Sequence, residues 1–294
     1  SIRTAGDIQA ENIWLDATHL LENSGTLNAN QLSIQANSVN NAASAALNGQ
    51  QVMIAAQDQV NNQGTVSATG DLLVQAGSII NRGASASLST QSKLLLDATS
   101  GSIQNEGQIN GRSTQLTAQQ EVRNTGSLSA QENMRIAAGE IQNFGSISGA
   151  NTTLTAQNNL SSQGAIEGQD QLILQAGNIY NTSKIMGANT SLTASGDLSN
   201  LGQIEGTNRL NLQSLNLQNS GQLNGQKLIA RVTNTLDNRG QIAGSQLSLT
   251  ADQVINRRQG QITGDNIYIA AQDSFVNESP VLPIAQKPKN NTLF

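Results

Sequence analysis

The segment NEGQINGRSTQLTAQQEVRNTGSLSA, Asn105 to Ala130, carries one pattern twice. Asn105-x-Gly107-x-Ile109-x-Gly111 returns nineteen residues later as Asn124-x-Gly126-x-Leu128-x-Ala130. An interval that restores residue type at several positions together marks a repeat architecture, in which each unit is one structural circuit of the chain.

Positions 105, 124, 143, 162, 181, 200, 219 and 238 stand nineteen apart, and all are Asn except Ser162. Two residues on comes Gly at each position except Ser183, and four residues on comes Ile or Leu throughout, from Ile109 to Ile242. A second aliphatic row precedes the Asn by two, from Ile103 to Leu236. The pattern continues less strictly through Asn23, Asn41, Asn62 and Asn81 on one side and Asn256 and Asn277 on the other, giving roughly fourteen or fifteen rungs. TQLTA at 114, TTLTA at 152 and TSLTA at 190 are 38 residues apart, with Met134-x-Ile136, Leu172-x-Leu174 and Leu210-x-Leu212 on the rungs between. Adjacent rungs therefore alternate in detail, one longer by a residue and the next shorter.

Helical repeats need longer units, and a leucine-rich repeat needs a multi-leucine signature with a helical half that this chain lacks. Short β-type runs such as Leu172-Ile173-Leu174, bounded by Gly and Asn, favour strands. The expected fold is all-β: a right-handed parallel β-helix of about 14–15 rungs with a 19-residue period, spanning residues 1–277. At about 4.8 Å per rung the rod is roughly 70 Å long. Each inward aliphatic contributes about 1.5–3 kcal/mol on full burial, and no single rung offsets its own backbone entropy, so stability comes from stacking. Asn and Gly are expected at corners, where they tolerate φ > 0, with Asn amides donating and accepting along a ladder. Residues 278–294 contain all three prolines, at 280, 283 and 288, and read as an extended linker or tail.

Composition agrees with this fold. The 294 residues are 36% hydrophobic but only 2% aromatic and 12% charged, poor material for a core of large side chains yet too apolar for a disordered chain. Net charge is −5 and the basic residues form no run, which argues against nucleic acid. Absence of cysteine excludes disulfide and thiolate-metal scaffolds and is compatible with export of an unfolded chain. No apolar stretch approaches the ~20 residues of a membrane span. The opening SIRTAGDIQA lacks a signal-peptide core and already follows the repeat, so the chain reads as a piece of a longer protein.

Parallel β-helices include polysaccharide lyases and hydrolases, whose sites need carboxylates side by side on one face. Stacking places Glu121 and Glu140 in one column on adjacent rungs, near Arg123, with Asp197 three rungs further; Glu167 and Glu205 share another column two rungs apart. No third acid, histidine or groove-forming loop accompanies them, so they read first as solvated surface charge and second as a weak cation contact. His19 has no nucleophile or acid at a catalytic spacing. Trp14, between inward-fitting Ile13 and Leu15, should point outward, as an exposed aromatic or a sugar contact. Arg257 and Arg258 form a basic pair on a bulge and read as solvated. Calcium-binding nonapeptides and the continuous threonine rows of ice-binding solenoids are absent. No catalytic residue, cofactor or metal is expected; the weak surface candidates are Glu121, Glu140, Trp14, Arg257 and Arg258.

The aliphatic-x-Asn-x-Gly-x-Ile-x-Gly unit with a downstream Leu-x-Leu-x-Ala, as in Leu160 to Ala176, resembles the haemagglutinin repeats of filamentous haemagglutinin and of contact-dependent growth inhibition toxins. The resemblance covers residues 1 to about 277. It implies a very large secreted protein of Gram-negative bacteria, exported through an outer-membrane two-partner-secretion transporter and displayed as a filament. Such a filament serves as an adhesin or carries a toxin to a target cell, where it meets a receptor or glycan. The Asn-Pro-Asn motifs of the family's secretion domain and the Val-Glu-Asn-Asn toxin junction are missing here. A middle, shaft segment is therefore what the resemblance implies, and a carbohydrate-active β-helix enzyme is the alternative.

Overall fold

The computed structural model describes residues 1–278. Twenty-six strands, all paired in parallel, stack into a β-solenoid of about fifteen rungs; among the described residues there is no helix, and so none that could cross a membrane. The rung from Asn105 to Asn124 shows the plan. A corner at Glu106–Gly107 leads into a first face at 108–111, a second at 113–118 and a third at 121–124, with breaks in register after Gly111 and Ala118. Burial alternates along each face, so Ile109, Thr114, Leu116, Ala118, Val122 and Asn124 point inward. That alternation is the period-2 geometry of a strand, repeated on three sides of one core.

Each inward position becomes a column. Ile109 stacks on Leu88 and Leu128, Leu116 on Leu96 and Ile136, and Val122 on Ile103 and Ile141, all essentially without solvent exposure. Where the second face closes on the third, the column is nearly all Ala, from Ala17 through Ala118 to Ala251. A larger side chain would hold those walls apart, so small size is what that corner selects.

The alternation of rung length is a corner bulge. Thr114 pairs with Met134, twenty residues on, and Met134 with Thr152, only eighteen on. Thr114, Thr152 and Thr190 are buried, and their hydroxyls donate to the carbonyls of Ser129, Glu167 and Glu205 on the following, longer rung, at 3.1, 2.7 and 2.7 Å. Each threonine thus supplies a donor beside a register shift, where the regular ladder is interrupted.

The Asn row forms the amide ladder expected from the sequence, but without the positive φ expected at its corners. Among the described residues none other than glycine has positive φ, and Gly83, at φ 93°, is the single glycine that does. The Asn side chains are instead buried at the inward end of the third face, held by hydrogen bonds rather than by backbone conformation. Asn105 Nδ2 donates to Asn124 Oδ1 at 2.8 Å and also to the Gly107 carbonyl at 3.1 Å, so one amide joins two rungs and ties its own corner. The ladder of amides runs from Asn23 to Asn143 and again from Asn181 to Asn277. The glycines that follow are required by close approach. A Cβ on Gly126 would fall on the Gly107 carbonyl oxygen of the rung before.

Ser162 interrupts the ladder. Its hydroxyl turns to the Gly164 carbonyl at 2.7 Å, and the Asn143 amide, lacking a partner oxygen at 162, bonds backbone carbonyls alone. Ser162→Asn should restore two buried bonds and stabilise the middle of the solenoid by about 1–2 kcal/mol. Chemical denaturation should show a raised midpoint with an unchanged slope; a lower midpoint would mean that the site cannot take the amide.

The tail beyond the repeat begins at Glu278, and residues 279–294, with the three prolines, lie outside the described residues.

Candidate functional site

The stacking brings Glu121 and Glu140 side by side, as their column predicts, with Arg123 on the adjoining row. They line a shallow, open recess with Gln119, Gln120 and Gln157 on the third face. Partial burial pushes the Glu121 carboxyl above its ordinary value, the Glu140 charge adds to this, and Arg123 opposes it. Arg123 is itself engaged: its guanidinium lies 4.4 Å from the Phe144 ring centroid and donates to Gln142 Oε1 at 2.8 Å. Asp197, in the same column, accepts from Asn216 Nδ2 at 2.7 Å and is separated from Glu140 by two Asn-bearing rungs. Glu167 and Glu205 are separated by Met186, and Gln203 donates to Glu205 at 2.8 Å. His19 is exposed on a corner. Among the described residues no three of His, Asp and Glu converge on a common point.

The two carboxylates form a repelling pair. The unfolded chain ionises Glu121 near the model-peptide value of 4.5 and the folded chain only at higher pH. Between those values the folded state holds the extra proton, so stability falls as pH rises through the window and the penalty persists at neutral pH. Glu121→Gln should raise the melting temperature at pH 7, and the gain should vanish below about pH 4. A catalytic pair would show the reverse priority, activity lost with the same change.

Trp14 points outward and is 72% exposed. It lines an open groove with Leu32, Met53, Asp71 and Leu73 along the second face. Ile13 beneath it is buried, and Leu15 packs against the core at the first rung.

Arg258 is exposed, whereas Arg257, expected as part of a solvated pair, is engaged. Stacking places Asp237 on the rung before and Glu278 on the corner after, and Arg257 bridges both, at 3.0 and 3.1 Å. Burial works against ionisation of Asp237, but the hydrogen bonds and charges of Arg257 and Arg239 outweigh it and hold the carboxyl below its ordinary value. The three charges pin consecutive corners together. Linear spacing hid this, because the partners lie about one circuit apart.

Linear spacing also hid Arg209, Lys227 and Arg231. Register puts Lys227 directly beside Arg209, with Arg231 two rows across on the same face. None of the three makes an ion pair among the described residues. Arg209 stands on the rung before Lys227 and Arg231, eighteen rather than nineteen residues from Lys227, so a strict nineteen-residue frame misses the adjacency that register shows.

Continuous columns and open surface recesses define an extended parallel β-solenoid. Residues 4–147 match the family model of the BigA fourth domain, and residues 203–279 match that of the haemagglutinin repeat. The two matches support a region of a filamentous haemagglutinin and contact-dependent-inhibition-like two-partner secretion protein, and proteins of the haemagglutinin-repeat family are secreted surface filaments. Pairing runs unbroken through residues 148–202, so both matched parts belong to one solenoid. No curated protein and no solved structure matches the chain.

Proposed function

We propose that residues 1–277 are a non-enzymatic shaft segment of a large cell-surface filament of a Gram-negative bacterium. It is exported through an outer-membrane transporter of two-partner secretion and holds an adhesive or toxic part of the full protein at a distance from the cell. The observation that carries this reading is the continuous stack: three aliphatic columns run the length of the described chain, and the buried Asn column beside them is interrupted at Ser162, with no inserted domain. A structure whose rungs repeat adds length in quanta of one rung and keeps its ends mechanically joined, which is what a spacer requires.

The test is deletion in and out of frame. Removing residues 145–182, two circuits, joins equivalent positions and should shorten the particle by about 10 Å in small-angle scattering while keeping cooperative β-type melting. Removing a circuit and a half should disrupt the stack, because most inward side chains would then meet outward positions and the corners would no longer align. Turnover of an acidic polysaccharide by the full chain, lost with Glu121→Gln, would replace the shaft reading with an enzyme of the carbohydrate-active kind.

A further inference from the structure

We propose that the second face is a self-pairing surface that binds another copy of this chain, laid antiparallel and in one defined register. The outward residues of this face form three rows, seen on one rung as Ser113, Gln115 and Thr117. The middle row runs from Trp14 to Tyr268 over fourteen rungs without interruption. Its two ends are both exposed aromatics, 72% and 63% accessible.

The face is polarised along its length. Its first five rungs carry Asp16, Asp71 and Asp97 and a single cation, Lys93 beside Asp71, around an apolar stripe that includes Met53, itself 47% exposed, and Leu73, so this end keeps a net negative charge. Its eleventh and twelfth rungs carry Arg209, Lys227 and Arg231 around Ile229. A surface with opposite charge at its two ends complements itself when a second copy is reversed.

The register follows from charge. Turning one copy about an axis parallel to the strands reverses the rod, preserves the rows, and sets rung one against rung fourteen. Trp14 then faces Tyr268, Met53 faces Ile229 and Asp71 faces Arg209, each contact occurring twice by symmetry. Lys93 faces Asn189, and Arg135 faces Thr153, so no like charges meet. Sliding by one rung in one direction passes Asp71 from Arg209 to Lys227 and adds a like-charge pair, Lys93 on Arg209; in the other it separates Asp71 from Arg209 and brings Arg135 onto Arg135. Both neighbouring registers are thus penalised, which is how a repetitive surface acquires a single alignment. Both copies share the same rung spacing, so the contacts stay in step from end to end. A face roughly 65 Å long and 15–20 Å wide supplies about 1,000 Å² per copy, above the roughly 800 Å² of a stable interface.

Sedimentation equilibrium of the full chain at low salt should show a monomer–dimer equilibrium weakened by added salt. Scattering should show a dimer of twice the cross-section and nearly unchanged length. Asp71→Arg and Arg209→Asp should each weaken the dimer about tenfold or more, and the two together should recover most of the loss. Met53→Glu tests the apolar contact independently, with circular dichroism confirming that every variant keeps its β-fold. A monomer at all concentrations, a dimer indifferent to the charge reversal, or a doubling of length in place of thickness would overturn the proposal. A monomer that instead retains dextran sulfate through Arg209, Lys227 and Arg231 would assign the face to polyanions and overturn it equally.

Discussion

Ile166→Asp is expected to unfold the middle of the solenoid. Ile166 has no solvent exposure and stacks between Ile147 and Ile185 in the first-face column. The substitution removes about 1.5–3 kcal/mol of apolar burial and places an ionised carboxylate among aliphatic carbons, which costs several kcal/mol more unless the group protonates. A globular core could relax around such a defect from many directions. Here Ile166 has its column neighbours above and below, and each of those rungs depends in turn on the next. The expected loss of about 4 kcal/mol or more should therefore spread to several rungs, splitting one melting transition into two as the flanking segments unfold separately. Lowering the pH to about 4 should recover part of the loss, because the neutral acid is cheaper to bury. A single transition at the wild-type temperature would remove Ile166 from the core.

What the sequence made legible was everything that repeats. The columns through Ile109, Leu116 and Val122, the outward Trp14, the adjacency of Glu121 and Glu140 and the two-circuit alternation of threonine all follow from a ruler nineteen residues long. What stayed hidden was of two kinds. The Asn row was visible and its amide ladder expected, but the positive φ expected with it is absent: Asn suits both a left-handed corner and a buried ladder, and only the backbone angles and burial separate them. The second kind is lateral. Arg257 with Asp237 and Glu278, or Arg209 with Lys227, lie roughly a circuit apart and contribute no local signal. Bulges shift the count by one or two residues at each corner, so the outward rows drift from a strict nineteen, and charge adjacency has to be read from register.

Gly145→Val should be nearly as damaging as a buried charge, for a reason that involves no apolar burial. A Cβ at Gly145 would fall on the Gly126 carbonyl oxygen, and that oxygen is already accepting from the Ser146 amide at 3.0 Å. Relief requires the two rungs to part, which breaks that bond and strains the Asn124–Asn143 amide contact of 2.9 Å beside it. A branched side chain fits worse still, and the expected cost is about 3 kcal/mol or more. Ser183 shows the condition under which this column accepts a side chain. Its rung follows Ser162, where no amide reaches forward, so Asn181 Oδ1 is left to accept from the Ser183 amide at 3.1 Å, and the corner is held differently. At Gly145 the ladder enters intact from Asn124, so that latitude is missing. Gly6→Ala provides the control: nothing lies within 4 Å of its Cβ position and its φ is not positive, so that change should be neutral or stabilise by up to about 1 kcal/mol through the unfolded chain. Equal melting temperatures for Gly145→Val and Gly6→Ala would mean that the rungs are looser than the Gly126 contact requires, and that the glycine column reflects composition rather than close approach.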